Sequence, residues 1–277
     1  MTSDTTATSA WRQPLPEVPI ASRLRSNSLK RKLKDKNCVI GTFVEIPAPA
    51  IIEMLGLVGF DFAVVDREHG PIDRNECEQL IRAGLSSDIS VLVRVSGHDA
   101  ATMAQPLDHG AGGIHVPHVI SAEMARSAVQ ATRYHPLGER GIQPYVRAAS
   151  YRSFSTAEYL KTANDETLLV AQVEGTEGIA NLESILLVEG VDVAFIGPYD
   201  LSQSLGIPGQ VRDPRVRDAI SSAVRAAKQS GKRIGTYCDD AELANEYRQL
   251  GVSYLTVNID AGMFLAGARA LMAKLQS

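Results

Sequence analysis

From residue 38 onward the chain alternates short, continuous apolar runs with longer stretches whose apolar positions recur every three or four residues. The runs lie near 39–45, 61–66, 90–95, 112–117, 167–173, 191–196, 233–237 and 252–257. They are rich in β-branched residues and do not alternate with polar ones, the pattern of strands buried on both faces. Between them PAIIEMLGLVG, RNECEQLIRAGL, AATMAQPLDHG, SAEMARSAVQATRY, GTEGIANLESILLV, DPRVRDAISSAVRAAKQSG and DAELANEYRQLG carry helical periodicity. Glycine stands near many of their ends, as helix stops require. Eight such units predict an α/β fold, a closed (β/α)8 TIM barrel, over an open doubly wound sheet.

Two details support the barrel. No G-x-G-x-x-G follows the first run, so the dinucleotide fingerprint is absent. The GAGG at 110–113 precedes its strand and reads as the end of a helix. The stretch 134–166 is a long insertion, expected to serve function or subunit contacts. The last segment, 261–276, is a strongly apolar helix that either closes the barrel or packs on another subunit.

Composition narrows the class. With 277 residues, 44% hydrophobic and a net charge of −4, the chain gives no reason to expect nucleic acid or an anionic membrane as partner. Three isolated cysteines, Cys38, Cys77 and Cys238, form no disulfide framework and no zinc spacing, pointing to a cytoplasmic protein. No run is long enough to span a bilayer, and the N-terminus lacks the apolar core of a secretory signal. Residues 1–22, rich in Ser, Thr and Pro, read as a disordered extension before a single barrel domain at 23–277. The basic run from Arg23 to Lys36 reads as a solvated lead-in helix.

The chemistry lies at the ends of four apolar runs. His69 follows FDFAVVD, Arg94 follows SVLV, Glu174 follows LLVAQV and Asp200 follows VDVAFIGPY. In a barrel such positions converge on the C-terminal face. His69 shares its turn with Asp66 and Glu68, and a carboxylate beside an imidazole can support a base. Arg94 either pairs with a neighbouring carboxylate or takes a substrate carboxylate in its fork. Glu174 and Asp200 would repel one another at adjacent strand ends, which a divalent cation relieves; all-oxygen ligation favours Mg²⁺ or Mn²⁺. The plainer alternative is that Glu174 caps a helix and Asp200 pairs with an arginine. After Lys36 the only lysines are Lys161, Lys228, Lys232 and Lys274, none at the C-terminal end of a predicted strand. That disfavours imine catalysis, which needs a desolvated lysine in the site.

At these residues the chain resembles the metal-dependent class II pyruvate aldolases of the 4-hydroxy-2-oxoheptanedioate and 2-dehydro-3-deoxyglucarate aldolase family. The resemblance runs from about Ser28 to Lys274. It is carried by GTFVEIPAPAIIEMLGLVGFDFAVVDREHGP, by VLVRV, by A-x-x-A-x-x-A-x-R-Y-x-P-x-G-x-R-G at 125–141, by QVEGTEGIANL and by FIGPYDLSQSLG. It implies cleavage of a 4-hydroxy-2-oxoacid to pyruvate and an aldehyde. Glu174 and Asp200 would ligate Mg²⁺, Mn²⁺ or Co²⁺, with Gln172 supporting them. Arg94 would meet the carbonyl or enolate oxygen, amides around Gly197, Pro198, Tyr199 and Asp200 the carboxylate, and His69 with Asp66 the proton. It also implies a homohexamer whose C-terminal helices are exchanged.

The chain departs from that pattern at Arg67 in place of glycine, Phe43 in place of tryptophan, Tyr199 in place of a small residue, and along Gln143–Arg147. These positions bear on the aldehyde half of the substrate, and the added cation of Arg67 suggests a more anionic acceptor. Two other readings stand beside the aldolase. One is citrate formation from oxaloacetate and acetyl-CoA on the same fold. The other is a barrel without catalysis that serves binding or assembly.

Overall fold

The computed structural model describes residues 27–276. The expected extension 1–22 and the start of the lead-in helix lie outside these residues. Eight strands form one closed, wholly parallel barrel in sequence order. They are β1 (Val39–Val44), β2 (Phe62–Asp66), β3 (Ser90–Arg94) and β4 (Gly113–Val116), followed by β5 (Leu168–Val173), β6 (Val193–Ile196), β7 (Arg233–Cys238) and β8 (Tyr254–Ile259). All eight predicted runs are strands, displaced by at most two residues at their starts and ends.

Side chains alternate in and out of the barrel with period two. Outward residues such as Ala63, Val65, Val91 and Val93 pack with Ile52, Leu80 and Ile81 of the surrounding helices. Inward residues Phe43, Phe62, Val64, Leu92, Val170, Val193, Phe195 and Tyr254 fill the barrel itself. Phe62 stacks on Tyr254 with centroids 4.2 Å apart, a contact worth on the order of 1 kcal/mol beyond its burial. Gly235 makes the room: a Cβ there would lie 2.7 Å from the Tyr254 ring and 2.9 Å from that of Phe195. Small inward residues on some strands thus accept large ones from their neighbours.

The helices obey their local signals. Asp73 and Glu76 form a reciprocal capping box at the start of helix Arg74–Ser86. Gly110 closes helix Ala100–His109 in the left-handed region, φ 101°, so the GAGG motif does end a helix. The lead-in helix is Ser28–Asp35, capped by Asn27, and buries Leu29 and Leu33 across the bottom of the barrel. The segment GTEGIANLESILLV, expected as one helix, is two: Gly175–Ala180 and Leu182–Leu186. They break at Asn181, whose side chain leaves to donate to the Ile120 carbonyl at 2.9 Å. The insertion at 134–166 holds a helix, Thr156–Glu166, with its own Ser155/Glu158 capping box.

The final helix, Asp260–Gln276, stands apart. Its first residue is its only buried one, and Asp260 accepts from the amides of Glu45 and Ile46, tying the helix base to the end of β1. Beyond that, Phe264 is 73% exposed and Leu275 72%. In the single chain this helix does not close the barrel.

Candidate active site

Period two explains which strand-end groups meet. Counting on from Val64, Leu92, Val170 and Phe195, the inward positions at the C-terminal rim are Asp66, Arg94, Gln172, Glu174 and Gly197. They gather around a cavity of 270 Å³ lined by Phe43, His69, Arg94, Gln172, Gly197–Asp200, Tyr237 and their neighbours. A larger cavity, 460 Å³, opens at the other end of the barrel beside Asn27, Ser90, Gly112 and Thr167. The smaller one has the convergent charges and lies at the face where barrel enzymes do their chemistry.

Arg94 organises one side. Asp66 and Arg94 are register neighbours on β2 and β3. Arg94 donates from Nε to Asp66 Oδ1 at 2.9 Å and from Nη2 to Oδ2 at 2.6 Å, a two-pronged pair with Asp66 fully buried. Its Nη1 lies 3.2 Å from Glu68 Oε2. Burial opposes the charge on Asp66, yet the guanidinium and the amides of Glu68 and His69 hold its carboxyl below the usual range. The same partners keep Arg94 firmly charged in spite of its own burial. Its remaining N–H groups are free for a substrate oxygen, and Phe43 covers it, the ring centroid 4.6 Å from Cζ.

This geometry revises the expected pairing of His69 with Asp66. Asp66 receives only the backbone N–H of His69, at 3.4 Å, and gives its carboxylate to Arg94. The His69 ring stands on the cavity rim, 69% exposed, with Glu68 Oε2 its nearest carboxylate at 3.9 Å. Arg67 is also displaced from its expected place. As an outward position after Asp66 it turns back along its loop, Nε 3.4 Å from the Ile72 carbonyl, and does not line the cavity.

Glu174 and Asp200 do come together. A Cβ built on Gly197 would lie 3.1 Å from Asp200 Oδ2 and 3.6 Å from Glu174 Cγ. The two carboxylates therefore flank a notch at Gly197, which a side chain there would crowd. Burial, reinforced by Asp200 and Glu68, pushes the Glu174 carboxyl up. Two mutually repelling carboxylates around a cradle suit a hard divalent cation. Among the described residues no set of three or more His, Cys, Asp or Glu side chains has metal-binding geometry. The protein would thus supply two ligands and leave the other positions to water and substrate. Gln172 donates to Glu174 Oε1.

Two histidines escaped the sequence reading. His118 sits just past β4 with φ 53°, its Nδ1 against Glu174 Oε2 and its Nε2 3.1 Å from Glu68 Oε1. It links the Arg94 side of the site to the carboxylate side. His115 is an inward residue of β4, register neighbour of Arg94, and wholly buried against Phe43 and Phe195. Burial, with Arg94 nearby, pushes its imidazole down to about 3, so it is neutral. The only sequence signal for either was polarity inside GGIHVPHV, which does not tell a strand interior from a loop.

The sequence profile of the HpcH/HpaI aldolase/citrate lyase family matches residues 39–272. The chain belongs to the HpcH/HpaI aldolase/citrate lyase family. That places it among carbon–carbon lyases. A hydroxypyruvate/pyruvate aldolase from Cupriavidus necator is 36% identical over 248 residues, 90% of this chain and 92% of that protein. A family member from Burkholderia cenocepacia J2315 superimposes with a TM-score of 0.86 at 32% identity, covering 91% of this chain and all of the other. The citrate synthase SbnG follows at 0.81 and 32%, covering 90% and 97%. No described helix is long and apolar enough to cross a membrane.

Proposed function

We propose that the protein is a metal-dependent aldolase that reversibly cleaves a 4-hydroxy-2-oxoacid to pyruvate and an aldehyde. The observation that carries this reading is the pair of carboxylates around the Gly197 notch, facing an arginine whose fork is fixed from behind. Glu174 and Asp200 would hold the cation, Mg²⁺ or Mn²⁺ on ligand chemistry and Co²⁺ as a further candidate. When bound, the cation supplies Lewis-acid polarisation of the oxoacid.

The chain's own groups do the rest. Arg94 directs its free N–H groups at the C2 oxygen and disperses the charge that develops there. The first-turn amides of Tyr199 and Asp200, which have no carbonyl partner in their helix, receive the carboxylate. His69, on the rim and in contact with solvent, takes the 4-hydroxyl proton through water. The C3–C4 electron pair then passes toward C2 as an enolate, the aldehyde departs, and a proton returned to C3 completes pyruvate. Asp66 acts through Arg94 as a positioning residue, and Gln172 through Glu174.

The exposed apolar row of helix Asp260–Gln276, with Met54, Leu57 and Val58 exposed on helix Pro49–Leu57 and its end, supports a homo-oligomer. A hexamer with exchanged C-terminal helices accommodates these surfaces, and a cytoplasmic setting suits the free cysteines.

The likeness to a citrate synthase supports the second reading, condensation of oxaloacetate with acetyl-CoA. Both are tested together by supplying Mg²⁺ with each substrate set. Pyruvate release from a 4-hydroxy-2-oxoacid supports the aldolase; free CoA and citrate without aldol cleavage would replace it.

A further inference from the structure

The acceptor side of the cavity has a chemistry of its own. It is made by Tyr199, at the head of helix Pro198–Ser204, and Tyr237, an inward residue of β7, with ring centroids 6.0 Å apart. Tyr237 also approaches Phe43, at 6.3 Å, so the wall is continuous with the cover over Arg94. Behind it stands Asp239, two residues on from Tyr237. The Tyr199 hydroxyl donates to Asp239 Oδ1 at 2.8 Å.

This bond decides what the wall can recognise. A phenol has one proton, and that of Tyr199 is committed to Asp239, so its oxygen offers the cavity only lone pairs. Among the described residues no cation forms an ion pair with Asp239. Arg212 attracts Asp239 from outside the cavity lining, but its guanidinium is paired at 2.7 Å with Asp240 and lies 3.8 Å from Glu242. Arg67 faces the Ile72 carbonyl. Of the residues that line the cavity, Arg94 is directed at the oxoacid, and His69 stands on the rim as the acceptor of the 4-hydroxyl proton.

We propose that this wall selects an uncharged, hydroxyl-bearing aldehyde, whose hydroxyl donates to the Tyr199 oxygen, and that Asp239 is the residue excluding aldehydes with a remote carboxylate or phosphate. The proposal rests on the aldolase reading and names the substrate class of its second half. It also replaces the anionic acceptor that Arg67 suggested from sequence.

The test uses the full-length enzyme with Mg²⁺ or Mn²⁺ and pyruvate. Solvent deuterium exchange into the pyruvate methyl group is measured first, without any aldehyde. Aldol addition is then followed with glyceraldehyde, propanal and succinate semialdehyde. The wild type should prefer glyceraldehyde to succinate semialdehyde in kcat/KM by about 100-fold, the scale of an unpaired like charge. Asp239→Asn should shrink that ratio about tenfold, mainly through a lower KM for succinate semialdehyde. Tyr199→Phe should lower the preference for glyceraldehyde over propanal by roughly fivefold, one lost hydrogen bond. A wild type that favours succinate semialdehyde, or ratios unmoved in both variants, would overturn the proposal while leaving the aldolase intact. Absence of metal-dependent methyl exchange would instead remove the aldolase reading, and this proposal with it.

Discussion

The two walls of the catalytic cavity are built on opposite principles. On the oxoacid wall most charged groups interlock: Asp66 with Arg94 through two hydrogen bonds, Glu174 with Gln172 and His118, Glu68 with Arg94 and His118, while Asp200 and His69 stand exposed at the rim. On the acceptor wall Tyr199 is exposed and its bond to Asp239 defines the chemistry. Interlocked ion pairs of this kind favour one geometry, which is what stabilising a developing enolate demands. A rim held by one contact can change with substrate at little cost to the fold. Tyr199 and Phe43, which the sequence reading marks as departures from the aldolase pattern, border the second wall.

The sharpest way to break this comparison is to unpair the oxoacid wall. Arg94→Ala should leave the buried Asp66 carboxylate without its fork. Stability should fall by about 3 kcal/mol and kcat by on the order of 10³, read from denaturant unfolding and steady-state kinetics. Retained activity would mean that the enolate oxygen is held elsewhere. Next in size, Glu174→Gln keeps the shape of the side chain and removes its charge. Mn²⁺ affinity, followed by titration calorimetry, should fall by about 100-fold, the scale of a lost anionic oxygen ligand. An unchanged affinity would take Glu174 out of the cation site.

A smaller effect concerns His115. Its folded pKa lies below the unfolded value, so the unfolded chain binds the extra proton as pH falls below about 6.5. Stability should therefore drop toward acid over the window from about 6.5 to about 3. This one group contributes a slope of roughly 1 kcal/mol per pH unit. His115→Leu should remove that part of the slope; an unaltered pH profile of unfolding would show that the imidazole is not held neutral. The Asp239→Asn and Tyr199→Phe ratios are the smallest effects, as expected for a rim.

The barrel was legible in the sequence because its strands are buried on both faces, so Leu168–Val173 and Phe62–Asp66 read as unbroken apolar runs that stop at a charge. Glu174, Asp200 and Arg94 were visible for the same reason, as charges at costly positions. The partners were not. Asp66 and His69 are neighbours in the chain, but the register of β2 against β3 hands Asp66 to Arg94. Alternation along β2 could have shown Arg67 pointing outward, since Val64 and Asp66 point in. His115 and His118 need the β3–β4 register before their polarity means anything, and Asp239 acquires its role through a contact 40 residues away in the chain. Helix Thr156–Glu166 was foreshadowed by its S-x-x-E capping box inside a stretch read as insertion.

In the proposed reaction this cavity makes a pyruvate enolate with a cation held by Glu174 and Asp200. Its most direct measurement is solvent deuterium exchange into the methyl group of pyruvate, by NMR, with metal-depleted protein to which Mn²⁺ or Mg²⁺ is returned. Exchange should appear with metal, vanish on chelation, and be lost in Glu174→Ala. Exchange that persists after chelation, or that survives in Glu174→Ala at the wild-type rate, would contradict that reaction.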